Sequence, residues 1–87
     1  IGAYDLSNSM GIPGEIFHKK VVSKVKEATD LINKSGKAAG SFVPQNEDQI
    51  KFCLDLGLRF ITYSVDTFEL KNAFLKAKKS FRSLTKD

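Results

Sequence analysis

The feature that most constrains the fold is a regular alternation between segments with helical periodicity and short apolar segments. Val21 and Val25 lie on one face of a helix predicted over roughly residues 19–35, and Gly36 ends that helix. The short apolar run at residues 38–43 then predicts a buried strand, since strands covered on both faces are apolar throughout.

Two later helices are predicted from their start signals. Asn46 with Gln49 three positions on forms a capping box, and Asp66 with Glu69 forms another. Between these helices, RFITYSV at residues 59–65 is rich in aromatic and β-branched residues, which favours the strongest strand of the chain.

The first residues predict a strand whose tip carries an acid. Residues 1–4 are apolar enough for a buried strand, and Asp5 follows before a loop of small residues at 7–14. Turn hydrogen bonding explains an aspartate there, and so does a site at the carboxyl ends of parallel strands. Because Ile1 is not a start methionine and lies within the predicted strand, we expect the C-terminal part of something longer.

Alternating strands and helices with short links require parallel strands joined by right-handed crossovers. Three strands and three helices cannot cover both faces of such a sheet by themselves. A complete eight-stranded barrel needs about 250 residues. The pattern therefore predicts an α/β fold in which residues 1–87 form a single partial domain, about three units of a larger sheet or barrel.

Composition excludes several classes of protein. Cys53 is the only cysteine, which rules out a disulfide within the chain and multi-cysteine zinc sites, and favours a cytoplasmic location. The net charge of +4 is concentrated near the C-terminus, where basic residues alternate with Leu70, Phe74 and Phe81. That pattern is typical of the solvated side of an amphipathic helix, so neither a nucleic acid nor a membrane is the expected partner.

The segment GAYDLSNSMG at residues 2–11 resembles the Gly-Pro-x-Asp-Leu-Ser-x-Ser-Met-Gly signature of the HpcH/HpaI-type pyruvate aldolases, which depend on a divalent metal. The likeness continues through SGKAAG at 35–40, LGLRF at 56–60 and SVDT at 64–67. The resemblance implies the C-terminal portion of a (β/α)8 TIM barrel, about strands six to eight with their helices. Ala3 replaces the proline of the signature, so the local backbone is less restricted.

The resemblance also implies a reaction and a site. These enzymes cleave 4-hydroxy-2-oxo acids to pyruvate and an aldehyde through a pyruvate enolate, which a divalent metal stabilises. Asp5 would bind Mg²⁺, Mn²⁺ or Co²⁺ together with a glutamate from an earlier strand, and a carboxylate suits such cations. The backbone amides of Tyr4 and Asp5 would bind the pyruvate carboxylate, and Phe42 would line the pocket.

The remaining catalytic groups of that family are expected outside this segment. They are a His–Asp pair, an arginine that binds the substrate carboxylate and the second metal ligand, so the segment alone is expected to be inactive. His18 is expected to be a surface or loop residue without a catalytic role. Cys53 is expected to be a small core residue rather than a nucleophile.

Other functions remain open at this point. A lyase acting on CoA thioesters, such as the citrate-lyase β and malyl-CoA lyase relatives, shares the barrel and metal site. A noncatalytic assembly domain would use the amphipathic C-terminal helix to dock on a partner. The resemblance implies a homo-oligomer, a trimer or hexamer, that associates through that helix.

Overall fold

The computed structural model describes residues 1–85, in which four helices form: α1 (Ala3–Ser9), α2 (Lys19–Lys34), α3 (Glu47–Asp55) and α4 (Asp66–Thr85). No β-strand is assigned within this range. The three helices predicted from periodicity and capping are confirmed. The three predicted strands, at residues 1–4, 38–43 and 59–65, are not formed as strands.

Helix α2 agrees with the predicted stripe. Val21 and Val25 are fully buried, as is Thr29 one turn later on the same face. Gly36 follows the helix with a φ of 86°, a left-handed conformation that glycine adopts without steric cost. The predicted apolar face of this helix and its predicted glycine stop are therefore both confirmed.

Helix α3 begins with half of the predicted capping box. Asn46 Oδ1 accepts a hydrogen bond from the Gln49 amide at 2.9 Å. The Gln49 side chain does not return to Asn46, because its Oε1 accepts from the amide of Gln45 at 2.9 Å. The side chain thus ties the preceding segment to the helix instead of closing the box.

Helix α4 begins where predicted, but for a different reason. Asp66 Oδ1 accepts from the Thr67 amide at 2.8 Å, and the Glu69 amide donates to the carbonyl of Val65 at 3.1 Å. The capping box predicted between Asp66 and Glu69 is therefore not formed. The Glu69 amide, which the Asp66 side chain was expected to bind, donates instead to the backbone carbonyl of Val65.

The first predicted strand is wrong, because its residues enter helix α1. The Leu6 amide donates to the carbonyl of Gly2 at 2.9 Å, which closes the first helical turn. Ala3 and Ser7 lie one turn apart and are both buried, and α1 contacts α2. The buried positions of this segment are four residues apart, as in a helix, and do not alternate as in a strand.

The other two predicted strands are extended segments that lie side by side without a continuous ladder. The amides of Arg59 and Phe60 both donate to the carbonyl of Ala39, at 2.8 and 3.0 Å, and the Ser64 amide donates to the carbonyl of Pro44 at 2.9 Å. Both contacts pair residues about twenty positions apart, so the segments run parallel.

Backbone geometry explains why these segments do not become regular strands. Phe42 and Ser64 have φ values of 57° and 53°, outside the β region. A parallel ladder requires evenly spaced bonds along continuous extended backbone, and each of these residues interrupts it. The α/β expectation is therefore correct for the direction of the segments and incorrect for their hydrogen bonding.

The core is small and excludes α4. It is built on Ala39, Cys53 and Leu58, with Ile32 and Phe52 among the partly buried side chains around it. No residue of α4 is buried within the described range, and its Phe74 and Phe81 are 67% and 68% exposed. Among residues 1–85, no helix has the length and apolar character to cross a membrane.

The close approach of the two extended segments predicts the effect of one substitution. A Cβ added at Gly40 would lie 2.7 Å from the carbonyl oxygen of Phe60, which is backbone and cannot rotate away. Gly40→Ala should lower the free energy of unfolding by about 1–3 kcal/mol, measured by urea unfolding followed by circular dichroism. Lys37→Ala, at an exposed position nearby, should change it by less than about 0.5 kcal/mol. Stabilisation by Gly40→Ala would contradict the parallel arrangement.

Candidate functional site

A mainly apolar cavity of about 310 Å³ lies where five parts of the chain meet. These parts are the start of α1, the loop before α2, the segment 42–45, the buried side of α3 and the residue just before α4. The side chains that line it include those of Tyr4, Phe17, Phe42, Gln49 and Phe52. Its volume is at the lower end of the range for small-molecule sites.

The structure brings together two of the three predicted site residues. Tyr4 and Phe42 both line the cavity, although they are far apart in sequence and Tyr4 is 61% exposed. Asp5 is the next residue after Tyr4 on α1 but does not line the cavity. The predicted metal ligand therefore follows a cavity-lining residue along the chain but does not itself line the cavity.

Asp5 is an exposed carboxylate in the first turn of α1. It forms no salt bridge among residues 1–85. Its Oδ2 lies 2.8 Å from the point where a side chain at Gly2 would begin, so a larger residue there would make the flexible carboxylate rotate away from this position. An unpaired carboxylate with this space is suited to be one ligand of a hard cation.

A complete metal site is not present in the described part of the chain. No group of three or more His, Cys, Asp or Glu side chains converges there. Asp5 therefore fits a divalent cation as a single oxygen ligand, and further ligands would have to come from other residues or from water.

The backbone around Asp5 offers hydrogen-bond donors. The first amides of a helix have no intrahelical acceptor, and Tyr4 and Asp5 occupy that first turn. The N-cap residue Gly2 has no side chain to satisfy them. These amides are consequently available to bind an anionic oxygen from outside the helix.

Ser7 holds α1 in place and was not singled out from the sequence. Its hydroxyl donates to the carbonyl of Tyr4 at 2.7 Å and accepts from the amide of Gly14 at 3.0 Å. The residue is fully buried. One side chain thus connects the turn bearing Tyr4 and Asp5 to the loop that leads to α2. Its four-residue spacing from Ala3 is the only sequence signal that indicates this buried position.

Three phenylalanine rings form one wall of the cavity. The rings of Phe17 and Phe42 are stacked, with centroids 5.5 Å apart and planes 4° apart. Phe52 meets both of them edge-on, with its centroid 5.4 Å from each. Phe17 comes from the loop before α2 and Phe52 from α3, so only the folded chain brings these rings together. Sequence reasoning had identified Phe42 alone.

His18 and Cys53, for which no catalytic role was predicted, contribute to the fold. His18 is the N-cap of α2, where its Nδ1 accepts from the Lys20 amide at 3.1 Å. Cys53 is buried in the core, as predicted, and burial raises the pKa of its thiol above the ordinary value of 9.0. The reactive thiolate is therefore disfavoured at neutral pH.

Comparisons with known proteins find aldolases. The chain is 40% identical over 73 residues to a 4-hydroxy-2-oxo-heptane-1,7-dioate aldolase of Escherichia coli, which covers 84% of this chain and 28% of that protein. It is 37% identical over 87 residues to a hydroxypyruvate/pyruvate aldolase of Cupriavidus necator, which covers 100% of this chain and 32% of that protein. The chain thus spans less than a third of the length of these relatives. No family model matches it.

A solved structure shows the same arrangement of backbone. The crystal structure of an HpcH/HpaI aldolase from Desulfitobacterium hafniense superposes with a TM-score of 0.77 at 25% sequence identity. The match covers 93% of this chain and 31% of that one. The helices and extended segments described above therefore superpose on part of that enzyme's fold.

The two hydrogen bonds of Ser7 predict its contribution to stability. Ser7→Ala should lower the free energy of unfolding by about 1–3 kcal/mol, because it leaves the Gly14 amide without its partner. Ser9→Ala is a matched control on the exposed side of the same helix and should stay within about 0.5 kcal/mol of the parent. Equal effects of the two substitutions in urea unfolding would show that Ser7 does not anchor the loop.

Proposed function

The chain belongs to the HpcH/HpaI aldolase family, and from that membership we propose that it forms part of an enzyme that cleaves 4-hydroxy-2-oxo acids to pyruvate and an aldehyde. The observation that carries the proposal is the placement of the family's signature segment. Tyr4 of that segment lines the same cavity as Phe42, and Asp5 follows it with a free carboxylate. We further propose a cytoplasmic location.

The proposed reaction breaks the bond between carbons three and four of the substrate. The 4-hydroxyl group gives its proton to a base and becomes the aldehyde, while the electron pair of the broken bond passes to the pyruvate fragment as an enolate. Carbon three of that enolate then takes up a proton. One proton is released and one is consumed, so no oxidant or other co-reactant is needed.

Asp5 would hold the divalent cation that the reaction requires. Mg²⁺, Mn²⁺ and Co²⁺ all accept a carboxylate together with bound water, and the exposed position of Asp5 leaves room for both. When bound, such a cation acts as a Lewis acid that stabilises the negative charge developing on the pyruvate oxygens.

The other site residues would bind and orient the substrate. The free first-turn amides of Tyr4 and Asp5 would donate hydrogen bonds to the pyruvate carboxylate without rearrangement. Phe42 would exclude water from the side of the cavity that faces the aldehyde. Among the described residues, no Asp, Glu, His, Lys or Arg lines this cavity, so we propose that the proton-transferring groups lie on other strands of a complete (β/α)8 barrel.

If Asp5 binds the metal, replacing it should impair metal binding and turnover but leave the stability of the fold almost unchanged. In the full-length protein, Asp5→Asn should weaken Mn²⁺ binding and reduce pyruvate formation by at least about 100-fold, because a neutral amide is a poor ligand for a hard cation. Unfolding should change by less than about 0.5 kcal/mol, because the side chain is exposed. Isothermal titration with Mn²⁺ and a retro-aldol assay measure the two effects.

A matched control and a contrary result sharpen this test. Glu15→Gln removes one exposed carboxylate from the following loop and should leave Mn²⁺ binding and turnover at the parent level. If Asp5→Asn retained full Mn²⁺ affinity but unfolded at lower urea concentration, the carboxylate would be structural. Failure of the parent protein to release pyruvate from any 4-hydroxy-2-oxo acid would count against the reaction itself.

The exposed apolar stripe of α4 favours a second proposal, that the protein associates with copies of itself. Leu70, Phe74 and Phe81 lie at helical spacing on one face and are all exposed. Large apolar side chains grouped on one face are typical of an interaction surface. We propose a trimer or hexamer in which α4 packs on a neighbouring copy.

Opposite faces of α4 provide a matched test of association. Phe74→Asp combined with Phe81→Asp should shift the protein to a smaller species in sedimentation velocity, because it places two charges in the proposed interface. Asn72→Asp combined with Ser83→Asp adds the same charge on the opposite side of the helix and should leave the assembly unchanged. An equal effect of both pairs would mean that charge alone, and not the apolar stripe, controls association.

A further inference from the structure

We infer that the cavity takes an uncharged, apolar aldehyde, one that carries an aromatic ring or a hydrocarbon chain of similar size, and that Phe17 determines this preference. The inference rests on the proposed function, since it names the class of aldehyde that the same site would release or accept. Three independent features of the cavity carry it: the aromatic wall, the backbone of Phe42 and the charge of the lining.

The aromatic wall is preformed but incompletely covered. Phe17 stacks on Phe42 with nearly parallel planes, and Phe52 closes the corner edge-on. Even so, Phe17 is 51% exposed, which leaves much of a large apolar ring in contact with solvent. Burial of such surface is favourable, and a further ring can join the cluster in a stacked or edge-on arrangement.

The backbone of Phe42 shows that the wall is held in place rather than incidental. Its φ of 57° lies in the left-handed region, which is uncommon for a bulky side chain. Such conformations persist only where the surroundings determine them, and they concentrate at binding sites. Here the unusual backbone accompanies a ring fixed between Phe17 and Phe52 at the edge of the cavity.

The charge of the lining selects between classes of aldehyde. Among the described residues, no Lys, Arg or His lines the cavity, and its polar side chains include Tyr4, Gln45 and Gln49. The Oε1 of Gln49 is already engaged by the Gln45 amide. A carboxylate desolvated against this part of the lining would find no cationic partner among the described residues and would be costly to bury there.

An uncharged aldehyde differs from the aldehyde that would be released from the substrate named for the Escherichia coli relative. Cleavage of 4-hydroxy-2-oxo-heptane-1,7-dioate between carbons three and four leaves 4-oxobutanoate, an aldehyde that ends in a carboxylate. Benzaldehyde has a comparable number of non-hydrogen atoms but no charge. The two aldehydes therefore form a matched pair of probes for the cavity.

The first measurement is aldol addition to pyruvate by the full-length protein. In this direction carbon three of pyruvate loses a proton and bonds to the aldehyde carbon, whose oxygen gains a proton. Benzaldehyde should have the higher kcat/KM, by about tenfold. Phe17→Ala should reduce that preference by about threefold to tenfold, the range expected for loss of one aromatic contact, chiefly through KM. Phe17→Leu, which retains bulk, should fall between.

A control variant and a binding measurement separate this inference from the proposed function. Phe68→Ala removes a phenylalanine of α4 that does not line the cavity and should leave the preference unchanged. Benzyl alcohol, which cannot react, is titrated into protein carrying ¹³C-labelled phenylalanine rings. It should shift the signals of Phe17, Phe42 and Phe52, and Phe17→Ala should weaken its affinity by the same factor.

The outcomes distinguish the two proposals. If benzyl alcohol binds at the three rings while no aldehyde adds to pyruvate, the proposed reaction is wrong and the apolar ligand class stands. If 4-oxobutanoate is the better substrate and Phe17→Ala alters neither aldehyde, the inference is overturned while the aldolase activity stands. Failure of benzyl alcohol to shift the ring signals also overturns the inference.

Discussion

The carbonyl of Ala39, which accepts the amides of both Arg59 and Phe60, is the contact on which the rest of the structure depends. It holds two extended segments parallel at a separation that only glycine at position 40 permits. Once they are held, Leu58 lies in the same core cluster as Ala39 and Cys53. The segment that continues to Phe42 is then directed towards α3, where the cavity forms.

The cavity begins where this parallel pairing is interrupted. Phe42 and Ser64 adopt left-handed backbone near the carboxyl ends of the two extended segments. The two segments remain joined there by the bond from the Ser64 amide to the carbonyl of Pro44, while the ring of Phe42 packs against Phe17 and Phe52. Parallel α/β folds place their sites at this end of the strands because the loops there are free to carry specific side chains.

The limited size of the chain explains both its small core and its uncovered faces. A domain of this length buries only about 60% of its unfolded surface, and α4 adds nothing buried to that within the described residues. The hydroxyls of Ser41 and Ser64 are buried without a hydrogen-bond partner in residues 1–85, a state that costs about 1–3 kcal/mol for each group. Both features are consistent with the proposal that further strands complete the barrel.

The sequence by itself determined α2, α3 and α4, the glycine stop of α2 and the burial of Cys53, because helical hydrogen bonds join residues four apart and leave a local pattern. The resemblance of its first segment to a signature predicted Tyr4 and Asp5 as site residues, and of these two Tyr4 lines the cavity. Only the tertiary structure decided that residues 3–9 are helical and that the extended segments form no ladder. It also decided that Phe17 joins Phe42. Those outcomes depend on contacts between residues distant in sequence, whose geometry no local pattern records.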